Sequence, residues 1–432
     1  MQAVSEIAAP PSARRAWIVW GLAASAYLVA IFHRMALGVA GLEATERLAI
    51  PESSLAYLAA LQLLVYLLMQ VPAGLAADRL GPRRTLALGL AVMAAGELVF
   101  ALAHGVGPAL AGRALVGAGD ALTFLNVLRI AHAWFPARRQ GLLAALTGVV
   151  GAVGQLAATT PLHLALDGLG WSTTFLAASA LTALLVLVPL ALLQDRPAGQ
   201  PPPAHGDHEP VGRTLAAAWR RPATRHGFFL HLGAMAPFAI VGAVWGVPYM
   251  VGSQGMTRAA ASAFLLAMVA SFAAAGPVIG ALAGHDPERQ RRLSIVVPTA
   301  STIGWGLLVA WPTPQVPRPL LLLVLAVTGA AAGASMLAFE IARREAPPVA
   351  AGSATALVNC GGFSGAVLGA LAVGALLGVG DGPAATQHAM APVLVAAAVG
   401  AAGSLRHARR DRPPVRGGER LLAVRAAGDP RT

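Results

Sequence analysis

Apolar residues along the chain fall into twelve segments, and each segment is long enough to cross a lipid bilayer as a helix. One crossing needs roughly 20 mostly apolar residues, and the connections between the segments are mostly short, polar and rich in arginine. The predicted spans are residues 17–39, 54–75, 85–103, 108–134, 141–162, 172–193, 227–250, 258–283, 293–311, 319–341, 351–378 and 384–405. This pattern predicts an all-α integral membrane protein with twelve transmembrane helices.

One connection, residues 194–225, is longer and more polar than the others and contains three consecutive prolines. It separates six spans from six spans. The predicted domains are a cytoplasmic N-terminus at 1–16, a six-helix bundle at 17–193, a cytoplasmic linker at 194–225, a second six-helix bundle at 226–405 and an arginine-rich cytoplasmic tail at 406–432. Residues 74–78 align with residues 280–284, which indicates a duplication. Parallel repeats of this kind place a substrate site between the halves near the middle of the membrane.

Composition supports the membrane assignment. The chain is 56% hydrophobic and 12% charged, whereas a soluble domain carries about a quarter charged residues. The single cysteine, Cys360, excludes a disulfide framework within the chain and a multi-cysteine metal site. The sequence also lacks a nucleotide-binding loop, a nucleophile motif and a metal-ligand cluster. We therefore expect neither an enzyme nor a metal or cofactor.

The arginines predict the orientation in the membrane. All 31 basic residues are arginine, and with both termini inside 25 of them lie in the termini and cytoplasmic connections. Three lie outside and three lie within spans. Positive charge concentrates on the cytoplasmic side of membrane proteins. The net charge of +12 is thus a topology signal, and we expect a monomer in a bacterial inner membrane, with both termini cytoplasmic and no nucleic-acid partner.

A short polar hairpin separates the second and third spans. Its sequence, Gly74-Leu-Ala-Ala-Asp78-Arg79-Leu-Gly81-Pro-Arg83-Arg84, resembles the G-x-x-x-D-R-x-G-R-R signature of the major facilitator superfamily. That family consists of secondary transporters with twelve helices in two six-helix bundles. The resemblance implies a latch in which the aspartate meets the N-terminus of helix eleven, near residues 351–353, and closes the cytoplasmic side. The predicted latch residues are Gly74, Asp78, Arg79, Gly81, Arg83 and Arg84; a topology anchor is the alternative.

Charged residues inside spans are the best candidates for function because each costs about 2.5–3.5 kcal/mol at mid-bilayer on insertion scales. There are three basic and three acidic ones, so mutual pairing is expected to offset much of this cost. They are Arg34, Glu97, Arg113, Asp120, Arg129 and Glu340.

The first span contains Tyr27, His33 and Arg34. Tyr27 and Arg34 lie seven residues apart and share a helix face, so we predict that both line the substrate cavity and that Arg34 binds an anionic group. The alternative is that Arg34 extends to the outer headgroups. His33 lies on a neighbouring face, where proton handling and a structural role remain open.

The fourth span contains Arg113 and Asp120, also seven residues apart. The run from Arg113 to Gly119 resembles the R-x-x-x-G-x-G element in helix four of the same family, which implies a cavity-facing arginine involved in proton movement. We predict that Asp120 carries the proton and that Arg113 contacts substrate. The alternative is a purely structural Arg–Asp pair that joins helices. For Glu97 in the third span, a structural partnership with an arginine of another helix is favoured.

In the seventh span, His231, Phe238 and Trp245 recur every seven residues, and Tyr249 extends this stripe. In the family, helices one, four, seven and ten line the cavity. We therefore predict that His231 and Trp245 contact substrate, with ordinary packing as the alternative.

Two flanking sequences, Trp134–Gly141 and Gly170–Phe175, are similar to elements of the organic-anion, oxalate/formate and nitrate branches of the family. The resulting hypothesis is proton-coupled transport of a small organic anion. An exporter of amphipathic metabolites or drugs is the first alternative, and a non-transporting membrane sensor is the second.

Overall fold

The structure is a computed structural model that describes residues 13–50, 52–158, 160–197, 211–284, 286–344, 346–347 and 351–409. Within these residues, eleven helices are long and apolar enough to cross a membrane, and a bent pair of helices forms a twelfth span. The prediction of an all-α protein with twelve transmembrane helices is confirmed. Most of the N-terminus, the centre of the linker and most of the C-terminal tail lie outside the described residues, and the proposed domain boundaries there remain a prediction.

The spans are numbered α1 to α12. Their bounds are α1 Ala13–Leu37, α2 Tyr57–Leu68 with Gln70–Ala77, α3 Arg79–Ala101, α4 Val106–Trp134, α5 Arg139–Ala157, α6 Pro161–Leu192, α7 Pro222–Gly252, α8 Ala259–Ala283, α9 Pro287–Val309, α10 Arg318–Arg344, α11 Ala351–Leu377 and α12 Pro383–Ala408. The two pieces of α2 meet at an angle of 43°. Short helices also occur at Gly41–Leu48 and Val211–Arg220.

Several helices begin earlier than the apolar pattern predicts. For example, α9 begins at Pro287, whereas its apolar core begins near residue 293. The Asp286 side chain accepts hydrogen bonds from the backbone N–H groups of Glu288 and Arg289 at 2.9 and 3.4 Å. Such capping satisfies N–H groups that have no partner within the helix. Helical turns can therefore extend past the lipid-facing core into polar surroundings.

Because the chain crosses the membrane twelve times, α1 begins and α12 ends on the same side, here called the terminal side. The hairpin between α2 and α3 lies there. Gly81 has φ 79° and ψ 160°, a conformation that residues with a Cβ atom rarely adopt. Pro82 follows directly, and the Thr85 hydroxyl donates to the Gly81 carbonyl at 2.8 Å. The break in the helix is thus located at the glycine of the motif.

Within the first half, α4 packs closely against α2. A Cβ atom on Gly117 would lie 2.4 Å from the Gln62 carbonyl oxygen, so only glycine allows this approach. The contact brings the polar residues of α2 next to the charged residues of α4.

The two halves contact each other through α2 and α11, through α4 and α10, and through α5 and α8, where Gly148 lies against Phe272 and Gly276 against Ala145. Asn359 of α11 donates hydrogen bonds to the Tyr66 hydroxyl at 2.9 Å and to Gln70 Oε1 at 2.8 Å. Nearer the terminal side, the rings of Phe124 and Phe339 lie 5.4 Å apart. The candidate site lies beside these contacts, since Asp120 is one helical turn from Phe124 and Phe363 is one turn from Asn359.

Candidate substrate site between the two halves

Arg34 of α1 and Asp120 of α4 form a two-point ion pair. Arg34 Nε donates to Asp120 Oδ2 at 2.7 Å, and Arg34 Nη2 donates to Oδ1 at 2.8 Å. The Arg34 side chain is 6% exposed and that of Asp120 is 1% exposed. A planar guanidinium matches a carboxylate in this geometry, and a buried charge is tolerable when it is paired. In this structure Arg34 therefore holds a carboxylate by two hydrogen bonds, and that carboxylate belongs to Asp120.

Aromatic rings from both halves cover the Arg34 guanidinium. Its central carbon lies 4.6 Å from the ring centre of Tyr66 in α2 and 5.1 Å from that of Phe363 in α11. The two rings themselves lie 4.5 Å apart. An arginine over aromatic faces gains cation–π attraction, which is stronger when water is excluded. Phe363 belongs to the second half, so the surroundings of Arg34 depend on how closely the two halves approach each other.

Arg113 does not pair with Asp120. Its Nη2 group donates to the His33 carbonyl oxygen at 2.9 Å and also to Gln62 Oε1, while Nη1 lies 4.0 Å from Glu97 Oε2. The expected mutual pairing of buried charges thus occurs across helices. The Arg113 side chain is fully buried, and its hydrogen bond to the His33 carbonyl joins α4 to the backbone of α1.

His33 lies between α3 and α6. Its Nδ1 atom is 3.3 Å from Glu97 Oε2, and its Nε2 atom is 2.8 Å from the Thr182 hydroxyl oxygen. Tyr27, the remaining predicted residue of α1, packs against Phe124 with ring centres 5.2 Å apart. Phe124 in turn contacts the second half, so Tyr27 lies beside the interface between the halves.

The predicted stripe on α7 does not face a single surface. His231 Nδ1 lies 3.1 Å from the Ser335 hydroxyl, and the His231 ring is 5.0 Å from that of Phe339. Phe238 instead stacks on Phe272 of α8 at 5.0 Å. The stripe therefore divides between the α10–α11 side and the α8 side of α7.

Trp245 ends a π-helical turn, Val241–Trp245, which interrupts α7. Its indole N–H donates to the Ala370 carbonyl at 2.8 Å. Trp245 also lines a small apolar pocket with Leu63 and Val367. Turns of this type often occur at functional sites, and here the turn places an indole next to both halves.

The hairpin residues make several contacts on the terminal side. The Arg83 backbone N–H donates to Asp195 Oδ1 at 2.6 Å, and its guanidinium donates to the Leu190 carbonyl. Gly74 accepts a hydrogen bond from Arg129 at 3.4 Å. Arg79 and Arg84 are exposed. The Asp78 side chain lies outside the described part of the structure, so the latch remains a proposal.

Sequence reasoning missed Tyr66, Asn359 and Phe363, which complete the site. The sequence does contain one pattern that could have indicated Tyr66. Polar residues recur every four positions on one face of α2, at Gln62, Tyr66 and Gln70. No comparable spacing marks Asn359 or Phe363 in an apolar span. Asp195 was also missed as the group that caps the start of α3.

One further group of ligand-type side chains lies on the side opposite the termini. Ligand atoms of Glu43, His163 and Asp167 lie within 4.8 Å of one another. His163 and Asp167 form an ion pair one helical turn apart at 3.4 Å, and each side chain is 57% exposed. Exposed pairs of this kind are ordinary surface contacts, and we assign no metal to them.

Comparison with known proteins identifies the family. A profile described as Major Facilitator Superfamily matches residues 23–370. The chain belongs to this superfamily. With its described membrane spans, it is a multi-pass membrane protein of the major facilitator type.

Individual relatives agree with this assignment. The chain is 25% identical over 163 residues to an uncharacterised MFS-type transporter, Rv1250, of Mycobacterium tuberculosis. It is 29% identical over 180 residues to a putative tartrate transporter of Agrobacterium vitis. These matches cover 38% and 40% of this chain and 28% and 41% of the relatives, well under two thirds of their lengths.

A solved structure shares the fold. A bacterial homologue of the human lysosomal transporter Spinster, in an inward-facing and unoccupied conformation, superimposes with a TM-score of 0.66. The match covers 94% of this chain and 100% of that chain at 14% identity. At this identity the match supports the fold alone.

Because Arg34 and Asp120 form an ion pair, we predict that the stability losses of the two single variants do not add in the double variant. Arg34→Gln or Asp120→Asn leaves one buried charge unpaired, which we expect to cost about 3–5 kcal/mol. The double variant removes both charges and is expected to be more stable than either single variant. Thermal unfolding of the four purified proteins, with exposed Glu46→Gln as control, measures this. Additive losses would show that the two side chains are not coupled.

Proposed function

We propose that this transporter moves a small organic anion by proton-coupled alternating access, with a substrate carboxylate bound at Arg34. One observation carries the proposal: Arg34 lies between the halves and already holds a carboxylate, that of Asp120, by two hydrogen bonds. A substrate carboxylate has the same shape and charge. It can replace Asp120 without leaving the arginine unpaired.

Proton coupling follows from this competition. While Asp120 is ionised, it occupies the guanidinium and opposes the entry of another anion. Protonation of Asp120 removes its charge and weakens its hold on Arg34, so the arginine becomes available to the substrate. Proton and anion then bind together, and the buried site keeps the same net charge. This balance matters because an unpaired charge within the membrane is costly.

The second half provides the cover of the site. Phe363 lies over Arg34, and Asn359 bonds to Tyr66 and Gln70. We propose that α11 moves away when the site opens toward one side of the membrane. Arg34 would then meet water and substrate. Tyr27, His231 and Trp245 would contribute the remaining wall, while Arg113 would hold α1 from behind.

Two observations support the proposed substrate class, a small carboxylate: the guanidinium of Arg34 and the name of one relative. Arg34 favours a carboxylate, and a relative carries the name tartrate transporter. Tartrate and other short hydroxy- or dicarboxylates are therefore suitable first probes. The polar groups around Arg34 are buried. A larger substrate would break more of the contacts between them, so we propose that these contacts limit the size of the substrate.

We propose that the terminal side is cytoplasmic and that the membrane is a bacterial inner membrane. The excess of arginine on this side supports the assignment, because anionic lipids and the insertion process favour basic residues inside. A monomer is sufficient for this mechanism, since both halves of the site come from one chain.

An exporter of amphipathic metabolites or drugs is the second candidate. It is favoured by the apolar pocket that Leu63, Trp245 and Val367 line next to the interface. Apolar walls with few polar groups are typical of sites for such compounds. The direction in which a proton gradient drives the substrate distinguishes export of such compounds from import of an anion.

Uptake into vesicles tests the anion site. We expect purified protein to accumulate labelled tartrate or a related dicarboxylate when an imposed proton gradient favours symport, and to cease doing so after gradient collapse. Arg34→Ala should reduce uptake at least tenfold, because a lost charged hydrogen-bond pair costs more than about 1.4 kcal/mol. Arg113→Ala should also reduce it. Full uptake of anions by both variants would contradict the proposal.

The latch generates a separate prediction. If Asp78 interacts with the positive N-terminal end of α11, Asp78→Asn should slow the transport cycle while leaving substrate affinity largely unchanged. Transport rate and equilibrium binding in the same preparation distinguish these effects. Asp167→Asn, an exposed acid on the opposite side, is the matched control. Unchanged transport by Asp78→Asn would reduce the hairpin to a topology anchor.

A further inference from the structure

A second buried acid lies next to the candidate site and is unused by the mechanism above. Glu97 of α3 is fully buried, and neither of its carboxylate oxygens has a hydrogen-bond partner among the described residues. Its closest polar neighbour is His33, whose Nδ1 atom lies 3.3 Å from Glu97 Oε2. Buried polar atoms are nearly always satisfied, so this contact requires an explanation.

The hydrogen bonds of Thr182 determine where the imidazole proton lies. A hydroxyl group has one proton, and that of Thr182 donates to the Ala178 carbonyl at 2.8 Å. With its proton on the Ala178 carbonyl, the Thr182 oxygen is left to accept from His33 Nε2, which lies 2.8 Å away. On this geometry we assign the imidazole proton to Nε2. In a neutral imidazole, Nδ1 would then present a lone pair toward Glu97.

Two acceptors would then face each other if Glu97 were ionised and His33 were neutral. A buried contact of two lone pairs is repulsive and leaves both groups unsatisfied. One additional proton removes the conflict, either on Nδ1 of an imidazolium or on the Glu97 carboxyl. Both arrangements contain the same number of protons, and in both a hydrogen bond joins His33 Nδ1 and Glu97 Oε2.

We propose that His33 and Glu97 together hold one exchangeable proton, as a site separate from Asp120. This inference rests on the proposed function for its role in transport. The proton binds between Nδ1 and Oε2 and leaves to water when the halves open. Other charged groups face the pair: Arg113, with Nη1 4.0 Å from Oε2, and the ion pair of Arg34 and Asp120 beside α1.

The charges around the pair define what proton release does. With the proton bound, His33, Glu97 and Arg113 carry a total charge of plus one. After release, Arg113 and Glu97 compensate each other, but the lone pairs of His33 and Glu97 then repel. His33 is adjacent to Arg34 in α1, and Arg113 holds the His33 carbonyl. Repulsion at the pair therefore acts on the helix that positions the substrate arginine.

Infrared difference spectroscopy tests the proton site without any substrate. Spectra of the protein in lipid vesicles, recorded over a pH titration, should contain a buried carboxyl or imidazolium signal that Glu97→Gln removes and Glu46→Gln leaves intact. Thr182→Val is a second variant in case Glu97→Gln does not fold. Without the Thr182 oxygen, neutral His33 can place its proton on Nδ1 toward ionised Glu97, so the signal should disappear. Titration spectra of both variants that are identical to the spectra of the native protein would overturn the proposal.

Transport measurements test the role of the proton. In vesicles loaded with tartrate, the membrane potential that halts net flux at a set proton gradient gives the proton-to-substrate ratio. Glu97→Gln should lower that ratio by one and leave tartrate exchange intact. An unchanged ratio would contradict the role. If the native protein shows no proton-driven flux, the proposed function fails, whereas the infrared experiment still decides whether the pair holds a proton.

Discussion

The cost of charge in a membrane interior constrains this transporter more than any other factor. Each charged side chain in α1, α3 and α4 requires a partner, because lipid supplies none. The Arg34 and Asp120 side chains pair across two helices, and Arg113 lies near Glu97 while holding the backbone of α1. A group that leaves such an arrangement must be replaced by one of equal charge. A proton and an anion together meet this requirement.

This constraint also links chemistry to conformation. The guanidinium of Arg34 lies under Tyr66 of its own half and Phe363 of the other half. The hydrogen bonds from Asn359 to Tyr66 and Gln70 join the same helices. Separation of α2 and α11 would therefore expose Arg34 to water at the moment when these bonds are lost. The candidate site and the contact between the two halves therefore share residues.

Much of the fold could be predicted from the sequence, because span length and arginine placement follow directly from bilayer physics. The turn at Gly81 was predictable for the same kind of local reason. The partner of Asp120 was not. Seven helical residues separate Arg113 from Asp120 by about 10 Å along the axis, too far for contact, and the true partner is contributed by another helix. The spacing of residues along one helix predicts which of them share a face. It does not predict which helix packs against that face, so the contact of Tyr66 with Phe363 could not be predicted.

In the proposed mechanism, a substrate carboxylate takes the place of Asp120 at Arg34 as Asp120 becomes protonated. Calorimetric titration of the purified protein with a transported carboxylate, repeated in buffers of different ionisation enthalpy, measures the protons taken up on binding. We predict that the native protein takes up about one proton more per carboxylate bound than Asp120→Asn does, at a pH where Asp120 is ionised. Equal proton uptake by the native protein and by Asp120→Asn would contradict this mechanism.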